Sequence, residues 1–180
     1  FRINDRDKGE RFHIIIPCFQ EEKFISKKLE NTAALDFDPA LFSVYVVDGG
    51  SDDGTIEIAR EFCGIRRNFF FRQSESRGKI FQLNLALEEI KDGIIMITDV
   101  DGMLEPDALC QLEKIYRNPD IGCAGAYVVP ATPLPEDEIF WEHQNSMRLM
   151  ESELGHSSVM VAVAYSFRRR VVDRYPEDVI

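Results

Sequence analysis

The 180-residue sequence lacks the features that mark several common classes of protein. It contains no apolar run near the about 18 residues that a membrane-spanning helix needs. Its four cysteines are scattered, without a Cys-x-x-Cys pair or the spacing of a zinc site. Cysteines used in this way are typical of a reducing, cytosolic compartment. Internal repeats are also missing, and the composition excludes wholesale disorder, collagen-like structure and coiled coils.

Positive charge is the scarcer sign, with 21 Lys and Arg against 32 Asp and Glu and a net charge of −11. The imbalance is concentrated in residues 86–180, which carry 8 basic and 18 acidic side chains. Without a basic stripe, a nucleic-acid backbone is not expected as the main partner. An acidic site can accept a phosphorylated substrate if it binds a cation, although most of these acids are expected on solvated helix faces.

The order of apolar segments predicts the fold class. The length of the chain and its 44% of hydrophobic residues suit one domain with a sizeable core. The predicted strands are residues 12–17, 42–47, 68–71, 94–98, 122–129 and 159–167. The predicted helices are residues 21–35, 55–62, 80–90, 106–116 and 137–154. This alternation predicts an α/β fold with a mostly parallel central sheet flanked by helices.

Polar clusters follow three of the predicted strands, at residues 17–22, 48–54 and 99–102. Parallel strands end at one edge of their sheet, and ligands of such sheets bind outside the carboxyl ends of the strands. The sequence therefore predicts that three loops far apart in the chain form one site.

The Asp99-Val-Asp101 pair directly follows the strongest strand signal, residues 94–98. Two carboxylates at this spacing can face one ion only if the backbone turns, and we expect Gly102 to permit that turn. A small number of hard oxygen ligands suits Mg²⁺ or Mn²⁺ bound together with substrate phosphates. The cation would neutralise charge on a diphosphate leaving group. The alternative is that the pair only caps its loop.

Other polar residues near the strand ends have two interpretations each. Asp48 could accept a hydrogen bond from a base or a ribose hydroxyl, or it could cap the turn that follows. Asp52 and Asp53 fit turn capping better. Residues 77–79 could meet a diphosphate, with Gly78 allowing close approach of the backbone, or they could form a solvated basic loop.

Basic and histidine residues elsewhere carry weaker signals. Residues 168–170 are three consecutive arginines that could contact phosphate or lipid head groups, although a solvated strand end explains them equally well. His13 lies inside an apolar strand, so we expect a structural role for it. His156 lies in a predicted loop and could approach an acceptor.

Four motifs together point to a family. They are HIIIPCFQEE at residues 13–22, VVDGGSDDGT at 46–55, RGKIFQLNLAL at 77–87 and ITDVDG at 97–102. In order and spacing they resemble the catalytic domain of glycosyltransferase family 2. MESELGHSSVMVAVAYSFRRR at residues 150–170 is similar to the segment that precedes the catalytic base in that family. The resemblance covers residues 12–178.

The resemblance implies a Rossmann-like GT-A fold and inverting transfer of a sugar from a nucleotide-diphosphate donor, with UDP-sugars favoured. The implied acceptor is a glycan, a lipid or another hydroxyl compound, and the implied cofactor is Mg²⁺ or Mn²⁺. The implied nucleotide-binding residues are Pro17, Phe19, Glu21, Asp48, Arg77, Gly78, Lys79 and Asp99. Among them Asp48 would hold the base, residues 77–79 would border the nucleoside or the diphosphate, and Asp99 would face the ribose. Asp101 would bind the metal, with Asp99 beside it.

The chain departs from the family pattern at three places. Gln20 replaces the usual Asn, a longer amide that can keep the same hydrogen bonds, and Ala162 stands where glycine is common. The family's general base is an acidic residue just beyond a segment that looks like residues 175–180, so we expect it beyond Ile180. Asp178 is a weaker candidate. Since loss of a positioned base costs about 10²–10⁴-fold in rate, we expect this chain to bind nucleotide and metal but to transfer sugar poorly.

Two other functions fit part of the pattern. An aspartate-nucleophile phosphatase of the haloacid dehalogenase type also places Asp-x-Asp-Gly after an apolar strand, with Asp99 attacking phosphorus. That signature normally opens a chain, however, and it leaves the first two motifs unexplained. A nucleotide-sugar-binding domain without turnover is the second alternative.

The ends of the chain suggest a piece of a longer protein. Residues 1–11 are expected to form a polar lead-in, and residues 12–180 a single catalytic domain truncated at its C-terminal end. Any membrane segment would then lie outside this chain. The expected location is the cytoplasm, at the cytoplasmic face of the membrane if the full-length protein carries such a segment.

Overall fold

The computed structural model describes residues 10–131, 134–155 and 163–178. The strands are β1 (Phe12–Cys18), β2 (Phe42–Asp48), β3 (Phe69–Gln73), β4 (Ile94–Thr98), β5 (Cys123–Gly125) and β6 (Ala164–Arg168). The helices are α1 (Ile25–Ala33), α2 (Thr55–Gly64), α3 (Lys79–Glu89), α4 (Ala108–Tyr116) and α5 (Pro135–Glu153). A short 3₁₀ helix, Arg169–Val171, follows β6.

The six strands form one sheet in the order β3-β2-β1-β4-β6-β5. β3, β2, β1 and β4 run parallel to one another, while β6 runs antiparallel to both β4 and β5. The four parallel strands therefore end at one edge of the sheet, the carboxyl edge, and begin at the opposite one, the amino edge. The predicted α/β fold with a mostly parallel sheet is confirmed.

Helices cover both faces of the parallel strands. All seven residues of β1 and all five of β4 are buried. Ile14 of β1 belongs to an apolar cluster with Leu29 of α1, whereas Ile15 belongs to a second cluster with Leu87 of α3. Burial on both faces explains why these strands are mainly apolar in the sequence and lack the alternation of a half-buried strand. Each such side chain stabilises the fold by about 1.5–3 kcal/mol.

β5 is shorter than the strand predicted at residues 122–129. Beyond it, the N–H of Val128 donates to Asn145 Oδ1 at 3.2 Å, and Asn145 Nδ2 donates to the Val128 carbonyl at 2.8 Å. An amide side chain of α5 thus takes the place of a pairing strand, a substitution that periodicity does not reveal. Of the strand predicted at 159–167, residues 159–162 lie outside the described residues.

α5 carries apolar side chains on its exposed side. Ile139, Phe140, Leu149 and Met150 are each more than half exposed. The inward residue Asn145, by contrast, is polar and buried. Within the described residues, no helix combines the length and the apolar character that crossing a bilayer requires.

Candidate functional site

The loops after β1 and β2 are joined at the carboxyl edge. The backbone N–H of Gln20 donates to Ser51 Oγ at 2.9 Å, and that of Glu21 donates to Thr55 Oγ1 at 2.8 Å. Both donors precede α1, and Thr55 is the first residue of α2. The two loops therefore form one surface, as the polarity of the strands predicts.

Asp48 is fully buried, and its carboxylate serves its own loop. Oδ1 accepts hydrogen bonds from the N–H groups of Gly50 (2.8 Å) and Ser51 (2.9 Å), and Oδ2 accepts one from the Ser51 hydroxyl (2.5 Å). This geometry favours the turn-capping interpretation, and the contact to a base stays a prediction. Asp53 caps in the same way, since its hydrogen bonds from Thr55 lower the pKa of its carboxyl group.

Gln20 has a backbone φ of 60°, in the left-handed region that asparagine tolerates better than most residues. Its side-chain amide donates to Asp52 across the joined loops. The asparagine that the resemblance leads one to expect would therefore have a conformational reason at this position, and the longer Gln keeps an amide contact at the cost of local backbone strain.

Asp99 and Asp101 differ in what engages them. Lys79 Nζ donates to Asp99 Oδ1 at 2.5 Å, and both side chains are partly exposed. The Asp99 N–H also donates to the Val163 carbonyl at 3.0 Å. Asp101 is exposed, and among the described residues no hydrogen bond or ion pair engages its carboxylate. Asp101 is thus the carboxylate of this motif that is available to a ligand.

The pKa of Glu21 shows that acidic side chains are crowded at this site. Burial raises the pKa of its carboxyl group, and Asp101, Asp53 and Asp99 raise it further. Several acids therefore share this edge, and a divalent cation would relieve their mutual repulsion. In the described part of the chain, no three His, Cys, Asp or Glu side chains form a metal-binding group. The donors present fit a Mg²⁺ or Mn²⁺ ion that takes one or two carboxylates and completes its shell with substrate phosphates and water.

Lys28 of α1 lies directly behind this turn, and the sequence did not single it out. It is fully buried, and its Nζ donates to Thr98 Oγ1 at 2.8 Å and to the carbonyl of Gly102. Burial lowers the pKa of Lys28 to about 7, against the opposing effect of Asp99 and Asp101.

Gly102 is required for a reason other than the one expected. Its φ is not in the left-handed region, so the turn itself does not demand glycine. A Cβ at this position would lie 2.8 Å from Val163 Cγ1 and 3.0 Å from the Val163 carbonyl oxygen. The expectation of a glycine-dependent turn is corrected: close packing against Val163 excludes a side chain here.

An open cleft of about 470 Å³ lies at the carboxyl edge beside β2 and β3. Its lining residues are Gly49, Gly50, Gln73, Ser74, Glu75 and Arg77. The Arg77 guanidinium stands 5.5 Å from the ring centre of Phe19, which is 43% exposed. A flat aromatic ring and a cation thus flank a cleft whose floor includes two glycines, which leaves backbone open to a ligand.

Gln82 of α3 ties this edge together and was missed in the sequence. Its Nε2 donates to the carbonyls of Cys18 and Val47, each at 2.7 Å. A Cβ on Gly49 would lie 3.1 Å from the same nitrogen. Gln82 therefore joins the ends of β1 and β2 and keeps the cleft floor without a side chain.

Two other predicted residues contribute through the backbone. Pro17 is buried within β1 opposite Val47, so it supports the loop that carries Phe19. Gly78 has a φ of 120°, a conformation that L side chains rarely adopt, and immediately precedes α3. The entry of α3 at Gly78 brings Lys79, its first residue, to Asp99.

The segment after β6 is fastened to α3 by Asn84. The Asn84 side chain accepts from the N–H of Tyr175 at 2.8 Å and donates to its carbonyl at 3.0 Å. The Tyr175 hydroxyl is 3.0 Å from that of Tyr165 in β6. Glu177 pairs with Arg174 and accepts from Asn84 at 3.2 Å, and these contacts lower the pKa of its carboxyl group. Glu177 is therefore engaged in anchoring the chain.

This segment returns along α3 toward the carboxyl edge. Arg169 contacts the carbonyl of Leu87, late in α3, whereas residue 175 contacts the middle of the helix. Asp178, the weaker candidate for a base, is exposed near the end of this path. His156 and Ala162 lie outside the described residues.

A second cleft, of about 450 Å³, lies at the amino edge. Its lining residues are Glu10, Lys91, Asp92, Gly93, Arg168, Arg169, Arg170 and Asp173. Arg168 donates to three backbone carbonyls and pairs with Glu10, Arg169 donates to three more carbonyls, and Arg170 donates to one. These guanidinium groups hold neighbouring backbone segments together through hydrogen bonds. Their contacts favour a structural role over the phosphate or lipid contacts considered from the sequence.

Comparison with solved structures identifies the fold. The mannosyltransferase PcManGT from Pyrobaculum calidifontis, solved in complex with GDP-Man and Mn²⁺, superposes with a TM-score of 0.79 at 26% identity. The match covers 97% of this chain and 50% of that one. Residues 1–349 of TarS from Staphylococcus aureus, solved with UDP-GlcNAc, share the fold with a TM-score of 0.61 at 24% identity, over 69% of this chain and 37% of that fragment. The predicted GT-A fold is confirmed.

Comparison of sequences identifies the family. A dolichyl N-acetyl-alpha-D-glucosaminyl phosphate 3-beta-D-2,3-diacetamido-2,3-dideoxy-beta-D-glucuronosyltransferase from Methanococcus voltae is 26% identical over an alignment 149 positions long, which covers 71% of this chain and 46% of that protein. This chain thus spans half or less of the length of the relatives described. The family model for glycosyl transferase family 2 matches residues 13–175. The chain belongs to glycosyl transferase family 2.

Proposed function

We propose that this chain binds the donor in an inverting glycosyltransferase that transfers a sugar from a nucleotide-diphosphate sugar to a hydroxyl acceptor. One observation carries the proposal. At the carboxyl edge an open cleft adjoins a cationic residue, Arg77, and a second cation, Lys79, adjoins the exposed acidic turn of Asp99 and Asp101. A site for a nucleoside diphosphate needs these three features side by side: a cleft for the base, cations for the phosphates and carboxylates for a bridging metal.

The cleft suits the nucleoside. Phe19 offers an exposed ring on which a base can stack, and Arg77 beside it can contact the ring or the first phosphate. Gly49 and Gly50 let a ligand approach the backbone, since neither carries a side chain. The complex of PcManGT with GDP-Man is consistent with this use of the fold.

The turn after β4 suits the diphosphate and its metal. Asp101, with Asp99 beside it, would hold Mg²⁺ or Mn²⁺, and when bound the ion supplies neutralisation of the charge on the departing nucleoside diphosphate. Lys79 already lies against Asp99, so it can shift its hydrogen bond from that carboxylate to a phosphate oxygen. Lys79 can make this shift because its side chain is flexible and partly exposed.

Inversion requires a base that takes the proton of the acceptor hydroxyl as its oxygen attacks the anomeric carbon. We place that base beyond Ile180. The course of residues 172–178 along α3 supports this assignment, because it leads back toward the edge where the donor would lie. Glu177 is occupied by Arg174 and Asn84, which makes it a poor base. The acceptor we favour is a glycan or a lipid-linked glycan, the class named in the Methanococcus voltae relative.

Membership of the family leaves the phosphatase alternative without support. Donor binding does not require the general base, whereas sugar transfer does. Binding and transfer can therefore be measured separately on the same chain, which tests the alternative of binding without turnover. In the full-length protein we propose a location at the cytoplasmic face of a membrane, where nucleotide sugars are available.

Calorimetric titration with UDP and with GDP, each with and without Mn²⁺, tests the proposal. We expect one of the two nucleotides to bind and its affinity to rise when Mn²⁺ is present, with UDP favoured. Donor hydrolysis or transfer by the 180-residue chain should stay close to background. Absence of binding to both nucleotides in the presence of Mn²⁺ would overturn the proposed donor site, and robust transfer would overturn the assignment of the base.

A further inference from the structure

Lys28 is a fully buried lysine with its amino group directly behind the acidic turn. Burying an ammonium group is costly unless hydrogen bonds and nearby charges compensate it. Its buried neighbour Leu29 is apolar, so a charge is not a general feature of the buried face of α1. The charge of Lys28 therefore points to a role in what it contacts.

The contacts of Lys28 fall on both sides of the metal-binding turn. Its Nζ donates to the hydroxyl of Thr98, the last residue of β4, and to the carbonyl of Gly102. Residues 99–101, with both aspartates, lie between these two anchors. Thr98 Oγ1 also lies 3.4 Å from the Gly102 carbonyl, so one amino group closes a small ring across the base of the turn.

The geometry leaves the turn little freedom. The Gly102 N–H donates to the Asp99 carbonyl at 3.2 Å, and Val163 packs against Gly102 from the other side. When it is protonated, the Lys28 amino group also opposes the repulsion between the Asp99 and Asp101 carboxylates, and both carboxylates favour that protonated form. Geometry and charge thus act on the same three residues.

We propose that Lys28 is a positioning residue for the metal-binding turn: by joining Thr98 to Gly102 it holds Asp101 where a metal and a diphosphate can use it. This inference rests on the proposed function of the turn. Lys28 touches neither metal nor nucleotide, so its loss should change how well the turn binds them and leave the nucleoside cleft intact.

The test compares Lys28→Met with Lys27→Met. Both replace a lysine of α1 by an unbranched apolar side chain, but Lys27 is exposed. For each variant, the Kd of the preferred nucleotide is measured in Mn²⁺ and in EDTA, and unfolding by urea is followed in parallel. We expect Lys28→Met to reduce the gain in affinity from Mn²⁺ by roughly tenfold, as loss of a residue that orients a metal ligand does. Its Kd in EDTA should stay within about twofold of wild type, and Lys27→Met should match wild type in both.

The outcomes separate the two proposals. A folded Lys28→Met variant that keeps the full Mn²⁺ gain, as a merely structural lysine would, overturns the role of Lys28 and leaves the proposed function standing. A wild-type protein that binds nucleotide without any gain from Mn²⁺ overturns the proposed metal site and, with it, the role of Lys28, while the proposed nucleoside cleft stands.

Thr98→Val provides a second variant if Lys28→Met does not fold. Valine keeps the shape of threonine and removes the hydroxyl that Lys28 contacts. We expect the Mn²⁺ gain to fall by about threefold, the effect of a single hydrogen bond. A Thr98→Val variant with the full gain would overturn the proposed clamp.

Discussion

Two clefts of nearly equal volume, about 470 and 450 Å³, lie at opposite edges of the same sheet. At the amino edge the cations are already engaged: Arg168 alone bonds to three carbonyls and to Glu10. At the carboxyl edge Asp101 has no partner among the described residues, and Phe19 and Arg77 reach the surface. The two clefts therefore differ in the availability of their polar groups and not in their volume.

The polarity of the strands explains the difference. At the carboxyl edge each parallel strand leads through a loop into a helix, and such loops carry function because a rigid sheet positions them. At the amino edge the chain enters the strands, and β6 ends among the turns that follow α4 and α3. There the guanidinium groups donate hydrogen bonds to backbone carbonyls, most of them at least partly buried, that need a partner.

The largest effect is expected at the amino edge, from Arg168→Met. The substitution leaves the carbonyls of Tyr116, Asn118 and Ile121 without their donor, and we expect the free energy of unfolding to fall by about 4 kcal/mol. Urea denaturation measures the loss. The affinity of the folded variant for nucleotide should not change, and a variant of unchanged stability that binds nucleotide weakly would reverse our assignment of the two clefts.

His13, also at the amino edge, should make stability depend on pH. Burial lowers the pKa of its imidazole to about 4, with Asp92 opposing and Arg11 reinforcing the shift. The unfolded chain takes up this proton near pH 6.5, so His13 destabilises the fold progressively as the pH falls from about 6.5 to 4, by about 3 kcal/mol in all.

The measurement is urea unfolding of wild type and His13→Leu across this pH range. The difference between the two unfolding free energies should shrink or change sign in favour of the variant as the pH falls. Parallel curves for the two proteins would show that His13 does not carry this dependence.

At the carboxyl edge, Asp101→Ala should abolish most of the benefit of the metal. We expect the Kd of the preferred nucleotide in Mn²⁺ to rise by about 100-fold, because removal of a metal-binding carboxylate costs far more than removal of a surface charge. Asp120→Ala, which removes another exposed carboxylate, is the matched control. Equal binding by wild type and Asp101→Ala would contradict the metal site.

Arg77→Ala should have the smallest effect. Arg77 faces the ring of Phe19 at 5.5 Å from a partly exposed position, so we expect nucleotide affinity to fall only about three- to fivefold, with or without Mn²⁺. Arg67→Ala removes an exposed arginine outside the cleft and should leave binding unchanged. A loss confined to Mn²⁺ conditions would move Arg77 from the nucleoside to the metal-dependent part of the site.

Much of this architecture could be predicted from residues close together in the sequence. The runs that became β1, β2 and β4 are mainly apolar, and the acidic loops follow them directly, so the fold class and the edge that carries the loops were both predictable. A capping role for Asp52 or Asp53 was predicted from their place before α2, and the structure shows it for Asp53. The short β5 was not predictable, because Asn145 replaces a strand as the partner of Val128.

The residues that the sequence concealed act across long separations. Lys28 reaches Gly102 and Gln82 reaches Cys18, pairs separated by 74 and 64 positions. Within its own helix each of these side chains occupies the inward face, so no spacing pattern distinguishes it from the other buried residues. Asn84 likewise anchors Tyr175 although nothing near it in the chain announces that contact.

By itself, the sequence determined the alternation of strands and helices, the loops that carry the carboxylates and the family to which they belong, because periodicity and strand polarity act over a few residues. Only the tertiary structure decided which polar groups are free. Asp48 is enclosed by its own turn, Asp101 is open, and Lys28 stands behind the turn. Whether a charged group is available depends on partners brought together from distant parts of the chain, and only the folded molecule brings them together.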